Sequence, residues 1–395
     1  MIKVAVVSPF PTISRVSPES GVAGYSFTLA RHLPPSAAVD VIAQRSAELM
    51  TASPNLNILR SWRPGFLAAN DITSSLAVID VDLIHLQHEF RLFGGVVPTA
   101  AVIEALRFRR SVAVPVVVTL HGVIPVSEIS KDFLRRSHVR GAPQLARLAV
   151  HAALRSIKKL SAITIVHNQY FKDVLVADYR FKESLISVIP PGVPNISERR
   201  RLSISAVDAV EIGSAKNVLV FGFLTSYKRP ELVVDTAVAM KDELVRFTFC
   251  VSANPRTNSK AYLARYESLK NSVLALGEKA TWSGFIPDDE VPQLFENADL
   301  LVLPYVDCVS VSAVASLAIS HGVKICYSAP LSPIFPSSDL KFELSVASLA
   351  VAIKKGIELD GGVPERETGL ISWNETAQRT LALWEANATR RRANR

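Results

Sequence analysis

At 395 residues the chain exceeds the length over which one hydrophobic core keeps growing, so two domains are expected. Hydrophobic residues at 49%, charged residues at 20% and a mean hydropathy of +0.24 exclude a disordered chain, and no apolar run approaches the ~18 residues that span a bilayer. A net charge of +8 points to an anionic partner. The basic runs are scattered and lack interleaved aromatics or zinc-finger spacing, which argues against nucleic acid. An anionic membrane surface or a phosphorylated small molecule remains. Cys250, Cys308 and Cys326 have no metal-ligand spacing and are too few for a disulfide framework, so reduced thiols in a cytoplasmic protein are expected.

MIKVAVVSP reads as a first β-strand, because no small-residue cleavage site follows the apolar run. The turn after it ends in SGVAG, placing Gly21 and Gly24 just before an amphipathic helix predicted over 22–33. Glycines there let backbone N–H groups approach an anion at a helix N-terminus, although the stretch is not GxGxxG and a helix start that needs flexibility explains it equally well. AVDVIAQ is a second strand. Asp80-Val81-Asp82 then offers an acid-x-acid triplet, but it precedes the next strand and reads as a solvated turn.

VDLIHLQHEFRLFGG begins as a buried strand and ends in two imidazoles, an amide, a carboxylate and a Gly-Gly pair. VPVVVTLHG and AITIVHN follow the same pattern, ending in His121 and in His167-Asn168, and LISVIPPGV closes the series. Helices are expected between them over 97–110, 141–158 and 168–178. His85 is read as facing the helical layer, a structural residue. Strands alternating with helices argue for a parallel sheet covered on both faces. Ligands of such sheets bind beyond the carboxyl ends of the strands, which is where these polar residues fall.

PPGVPNISERRRLSISAVDAVEIGSA interrupts the rhythm and reads as a linker. NVLVFGF, RFTFCVSAN, ATWSGF, LLVLPYV and KICYSAP restart it, with helices over 229–241, 259–276, 288–297 and 311–321. FGFLTSYKRPE puts Gly222 at a strand end and Lys228 shortly before a helix whose first turn holds Pro230 and Glu231. A lysine there suits a phosphate; a surface lysine is the plainer alternative. Two doubly wound α/β units account for the chain, with one cleft expected between their polar strand ends.

In this order the motifs resemble the retaining GT-B glycosyltransferases of the family that includes mannosyltransferases and sucrose-synthase-like enzymes. VDLIHLQHEFRLFGG is similar to that family's acid–His–Gln–His–Glu–aromatic segment. VVVTLHGV, TIVHN, VIPPGVP, FGFLTSYKRPELVVDTA, ATWSGFIPDDEVPQLFENADLLVLPY and SWNETA follow in the family's order. The resemblance implies an acceptor-side Rossmann-like domain over 1–198, a nucleotide-sugar domain over 199–371, and a helix over 372–395 that returns to the first. It implies transfer of a hexose from a nucleotide sugar to a glycan, lipid-linked or small-molecule acceptor, with no metal and no cofactor beyond the donor.

By the same resemblance Gly21, Gly24 and Gly222 line the donor, Lys228 neutralises the diphosphate, His121 sits near the transferred sugar, and His88 and Glu89 floor the acceptor side. Two departures stand out. Phe223 replaces an arginine common after the glycine. The family's pair of glutamates is absent from PYVDCVSVSAVASLAISHG, where Leu317 holds the second position and Asp307 is the carboxylate nearest the first. Asp307 is a sugar contact or a turn residue. A divergent branch with Pro-Tyr-x-acid places Ser312 and Ala313 at a helix start facing the diphosphate. A catalytically degenerate glycan- or partner-binding protein and a nucleotide-sugar epimerase of the same build are the alternatives. A cytoplasmic protein resting on the inner face of a membrane is the expected location.

Overall fold

The structure, a computed structural model, describes residues 1–12, 21–46, 55–108, 114–137, 139–193, 215–254, 259–287, 289–335, 340–359 and 371–393. The chain divides into two compact units. One comprises Met1–Gly192, Val309–Val311 and Ile371–Arg395; the other comprises Val193–Cys308 and Ser312–Leu370. Most of the expected linker, including SERRRLS, and residues 13–20 of the first turn lie outside the described residues.

Among the described residues, the main sheet of the first unit has seven strands: β1 (Ile2–Val7), β2 (Ala37–Gln44), β3 (Leu56–Trp62), β4 (Leu83–His88), β5 (Val116–Leu120), β6 (Ile163–Val166) and β7 (Ile186–Val188), ordered β3-β2-β1-β4-β5-β6-β7 and paired in parallel. Alternation along β1 divides the core. Ala5 and Val7 join one apolar cluster with Leu86, Val118 and Phe171, while Val4 and Val6 join another with Leu83, Val117 and Trp384. Both faces are covered, which is why β5 is apolar throughout except for Thr119.

Among the described residues, six α-helices lie between the strands: α1 (Gly21–His32), α2 (Ala68–Ala77), α3 (Val96–Phe108), α4 (Lys131–Arg136), α5 (Pro143–Leu160) and α6 (Gln169–Ala177). Asn168 ends the β6 segment and caps α6, its side-chain oxygen accepting from the Phe171 amide at 2.8 Å. A short strand, β8 (Gly192–Val193), completes this stretch.

The second unit repeats the design with β9 (Lys216–Phe223), β10 (Val245–Ser252), β11 (Ala280–Trp282), β12 (Leu300–Leu303), β13 (Lys324–Ser328) and β14 (Lys341–Phe342), ordered β11-β10-β9-β12-β13-β14. Numbered from its own first strand, this sheet and the first six strands of the other share the order 3-2-1-4-5-6 of doubly wound nucleotide-binding folds. Its helices are α7 (Pro230–Ala239), α8 (Lys260–Leu274), α9 (Val291–Glu296), α10 (Ala313–Ser320) and α11 (Val346–Glu358). The chain ends with β15 (Ile371–Ser372) and α12 (Trp373–Ala393).

α12 belongs to the first unit. Its Trp384 is fully buried, and Thr376 donates to the Pro190 carbonyl at 3.1 Å. A Cβ on Gly192 would lie 2.5 Å from the Trp373 Cα, so only glycine admits the helix start there.

Several elements depart from the sequence reading. Strand β3 and helices α2, α4 and α11 were not expected. β3 (LNILRSW) carries Asn57, Arg60 and Ser61 and is half-buried along most of its length, as a sheet edge permits. Gly21 and Gly24 lie within the first turn of α1 and do not precede it. Asp80 and Asp82 lie before β4, where Lys3 meets both: its ammonium is 3.3 Å from Asp80 and its amide donates to Asp82 at 3.0 Å.

Candidate functional site

Three neighbouring strands of the first unit end in polar residues on one face. His85 and Gln87 leave β4, Thr119 and His121 extend β5, and His167 follows β6, with Gln87 paired in register with Thr119 and Leu120 with Val166. Period-two geometry puts residues i and i+2 on the same side, so the five side chains form a row across the carboxyl edge. Their contacts are continuous. His167 Nδ1 lies 3.0 Å from the Ile189 carbonyl and its Nε2 lies 3.1 Å from His121 Nδ1. His121 Nε2 lies 2.7 Å from the Gln87 amide. The other end of that amide is 3.3 Å from His85 Nε2, itself 2.8 Å from the Thr119 hydroxyl.

Aromatic rings roof this row. Tyr25 of α1 stands edge-on to His121 with ring centroids 4.9 Å apart, and 5.2 Å from His167. Trp384 of α12 meets His85 edge-on at 5.5 Å. Burial disfavours the charged imidazole, holding His85 down to about 3 and His167 to about 4. His121 lies well below the usual range through burial first, then through His167, His85 and His88.

His121, read from the sequence as near the sugar, is thus 7% exposed and both ring nitrogens already have partners. A sugar hydroxyl would have to displace one of them. His88 and Glu89, read as a pair, occupy different surroundings. His88 is fully buried beside Phe90 with neither ring nitrogen hydrogen-bonded among the described residues, and burial lowers it to about 4. Glu89 is exposed. Gly21 and Gly24 are exposed too, and a Cβ at either would meet no atom within 4 Å.

The second unit gathers the other candidates. Gly222, near the end of β9, has φ of +116°, a conformation that favours glycine. A Cβ there would fall 2.7 Å from Lys228 Nζ and 3.6 Å from Val314 in the first turn of α10. Lys228 Nζ also lies 5.6 Å from the centre of the Tyr305 ring. Arg229 precedes α7 in a left-handed conformation with φ of +40°, and Pro230 opens the helix.

The loops after β9 and β12 are joined. The Val306 amide donates to the Tyr227 carbonyl at 2.9 Å, and the Tyr227 and Tyr305 rings meet edge-on at 5.3 Å. Burial pushes the Tyr305 phenol up to about 12, against a smaller opposing effect of the Ser312 side chain. Burial raises the Tyr227 phenol, Lys228 opposes that shift, and Tyr305 and then the buried Asp307 add smaller upward contributions. Ser312 caps α10, accepting from the Ala315 amide at 3.2 Å, and Ala313 is the helix's first residue.

So Gly222, Lys228 and the start of α10 come together, with Asp307 reached through the tyrosines, while His121 joins a polar row. Thr119, Tyr25, Tyr227 and Tyr305 were not singled out from the sequence; HLQH, TLH and IVH did carry the period-two signal for the row. Among the described residues no group of three or more His, Cys, Asp or Glu is placed to hold a metal ion, and no helix is long and apolar enough to cross a membrane.

Comparison with known proteins adds four likenesses. Residues 20–195 match the family model Glycosyltransferase Family 4. A 138-residue stretch, 33% of this chain and 30% of the relative, is 28% identical to mannosylfructose-phosphate synthase of Agrobacterium fabrum. The chain therefore matches under a third of that relative's length. Among solved structures, sucrose-phosphate synthase from Thermosynechococcus elongatus superposes with a TM-score of 0.65 at 17% identity, covering 99% of this chain and 97% of that one. Anabaena Alr3699/HepE in complex with UDP-glucose gives 0.61 at 14% identity, covering 100% and 99%. These two likenesses show the fold.

Proposed function

We propose that this chain, a GT-B protein that carries a Glycosyltransferase Family 4 segment over residues 20–195, transfers a hexose from a nucleotide sugar with retention at the anomeric carbon and without a metal. The observation that carries this reading is the Lys228 ammonium held against the Gly222 backbone at the carboxyl end of β9, beside the start of α10. Breaking a glycosyl–phosphate bond leaves negative charge on the diphosphate, and fixed donors aimed at that charge lower the barrier. In this reading Lys228 supplies a point charge, and the positive end of α10, at Ser312 and Ala313, supplies part of a second. Asp307 contacts the sugar. Gly21 and Gly24 leave backbone open on the first unit, where His88 and Glu89 serve the acceptor.

UDP-glucose is the first donor to try, because Anabaena HepE was solved with it. The acceptor is a glycan, a phosphorylated sugar or a lipid-linked one. The exposed face of α5 supports the lipid-linked case: Leu145 and Leu148 are each 66% exposed, on a helix that also exposes Arg155 and Lys159.

Release of nucleoside diphosphate from UDP-, GDP- and ADP-sugars, measured chromatographically, tests the reading. Release from one of them is expected. No release from any, with no thermal shift by any nucleotide, contradicts it.

A further inference from the structure

The polar row of the first unit has a proton count that geometry constrains. A carbonyl only accepts, so His167 Nδ1 carries a hydrogen for Ile189. If His167 is neutral, its Nε2 is bare, and His121 Nδ1 must donate to it. If His121 is also neutral, its Nε2 is bare as well and needs a donor 2.7 Å away, where the structure holds the Gln87 oxygen. Two bare lone pairs cannot face one another at that distance. Either the amide turns by half a rotation, or the row holds one more proton.

The two solutions differ along the whole row. With the amide turned, every bond runs one way: His85 donates to Gln87, Gln87 to His121, His121 to His167, and His167 to Ile189. The three imidazoles are neutral, Thr119 accepts from the same His85 N–H at 2.8 Å, and among the described residues the ring nitrogen of the row left without a partner is a bare His85 Nδ1. With the amide as the structure holds it, His121 Nε2 donates to Gln87 and an imidazolium sits on His121 or His167. Gln87 then donates to His85 Nε2, which forces a hydrogen onto the partnerless His85 Nδ1. A buried unpaired donor and a buried charge are each costly.

We propose that Gln87 is a positioning residue whose amide orientation sets whether His121 presents a lone pair or an N–H at Nε2, so that uptake of one proton turns the amide and reverses the row. The titratable groups facing the row are His85 and His88 from β4, His121 and His167 after β5 and β6, and Tyr25 from α1, whose phenol burial keeps protonated. Trp373 and Trp384 are what α12 contributes, and neither titrates.

Nitrogen-15 spectra of histidine-labelled full-length protein test this. At pH 7.5 His121 and His167 should both show the less common Nδ1–H tautomer, and acidification should add a single proton shared by the two. Gln87→Glu places a carboxylate against His121 Nε2 and should make His121 an imidazolium at pH 7. Gln87→Leu should leave the Nδ1–H tautomer of both, because Ile189 fixes His167 and His167 fixes His121, but it removes the acceptor for an Nε2–H, so the shared proton should be taken up at lower pH than in the wild type. His121 bare at Nδ1 in the wild type, or neutral at pH 7 in a folded Gln87→Glu variant, overturns the proposal. A kinetic arm rests on the glycosyl-transfer reading: Gln87→Glu should shift the pH profile of kcat for donor turnover, whereas a merely structural role would not. If the wild type turns over no donor, that reading fails and the spectra still decide the row.

Discussion

Lys228 Nζ stands 2.7 Å from the point where any side chain on Gly222 would begin. The glycine is required by its φ of +116°, whereas the ammonium, at the end of a flexible side chain, would have to give way. Gly222→Ala should therefore cost ~1–3 kcal/mol in backbone strain and push the ammonium out of place. Urea unfolding should show the loss, and the KM for donor should rise together with it. A variant as stable as the wild type would mean that β9 ends differently.

Gly24 presents the opposite case. It sits in the first turn of α1, and a Cβ there meets open space. Alanine should stabilise the helix by ~0.5–1 kcal/mol. If a ligand approaches this backbone, the same variant should lose turnover. A raised melting temperature with lowered activity is the expected pair of results; unchanged activity would leave Gly24 a helix start and nothing more.

His88 tests the acceptor side. A fully buried imidazole with no hydrogen-bond partner among the described residues is a poor contributor to stability, so His88→Leu should leave stability unchanged or raise it by ~1 kcal/mol. With an acceptor hydroxyl as its missing partner, the variant should raise the acceptor KM and leave the donor KM alone. An acceptor KM equal to that of the wild type removes His88 from the site.

The buried histidines also predict a pH dependence. His85, His88 and His167 are held at about 3, 4 and 4 when folded, because burial opposes their charge, while unfolded imidazoles titrate near 6.5. Between those values the unfolded chain binds more protons, so stability rises with pH there. It is complete above about 6.5 and is lost as pH falls towards 4, at up to ~1.4 kcal/mol per pH unit for each histidine. Urea midpoints at pH 7 and pH 5 should differ clearly, and His85→Phe should flatten the slope. Equal midpoints would show that the row is hydrated and titrates normally.

The alternation of apolar runs and helices made the two parallel sheets legible, because strands covered on both faces need near-continuous Val, Ile and Leu. Edge strand β3 hid itself, since Asn57, Arg60 and Ser61 are tolerated where one side of a strand is open. Lys228 and Gly222 lie six residues apart and their juxtaposition followed from a strand end and a turn. The row was harder to read. Gln87, His121 and His167 are separated by dozens of residues, and only the register of β4, β5 and β6 brings them together. Phe223, where the resemblance implies an arginine, stays half-buried at the end of β9, and Lys228 Nζ is the charged atom nearest a Cβ on Gly222 among the described residues.

The most direct measurement is steady-state donor turnover in Lys228→Ala beside the wild type, with thermal unfolding of both. If Lys228 carries the diphosphate's charge, kcat should fall ~100-fold or more while the melting temperature stays where it was. Turnover equal to the wild type in a folded Lys228→Ala protein would contradict the assignment and, with it, the proposed chemistry of the second unit.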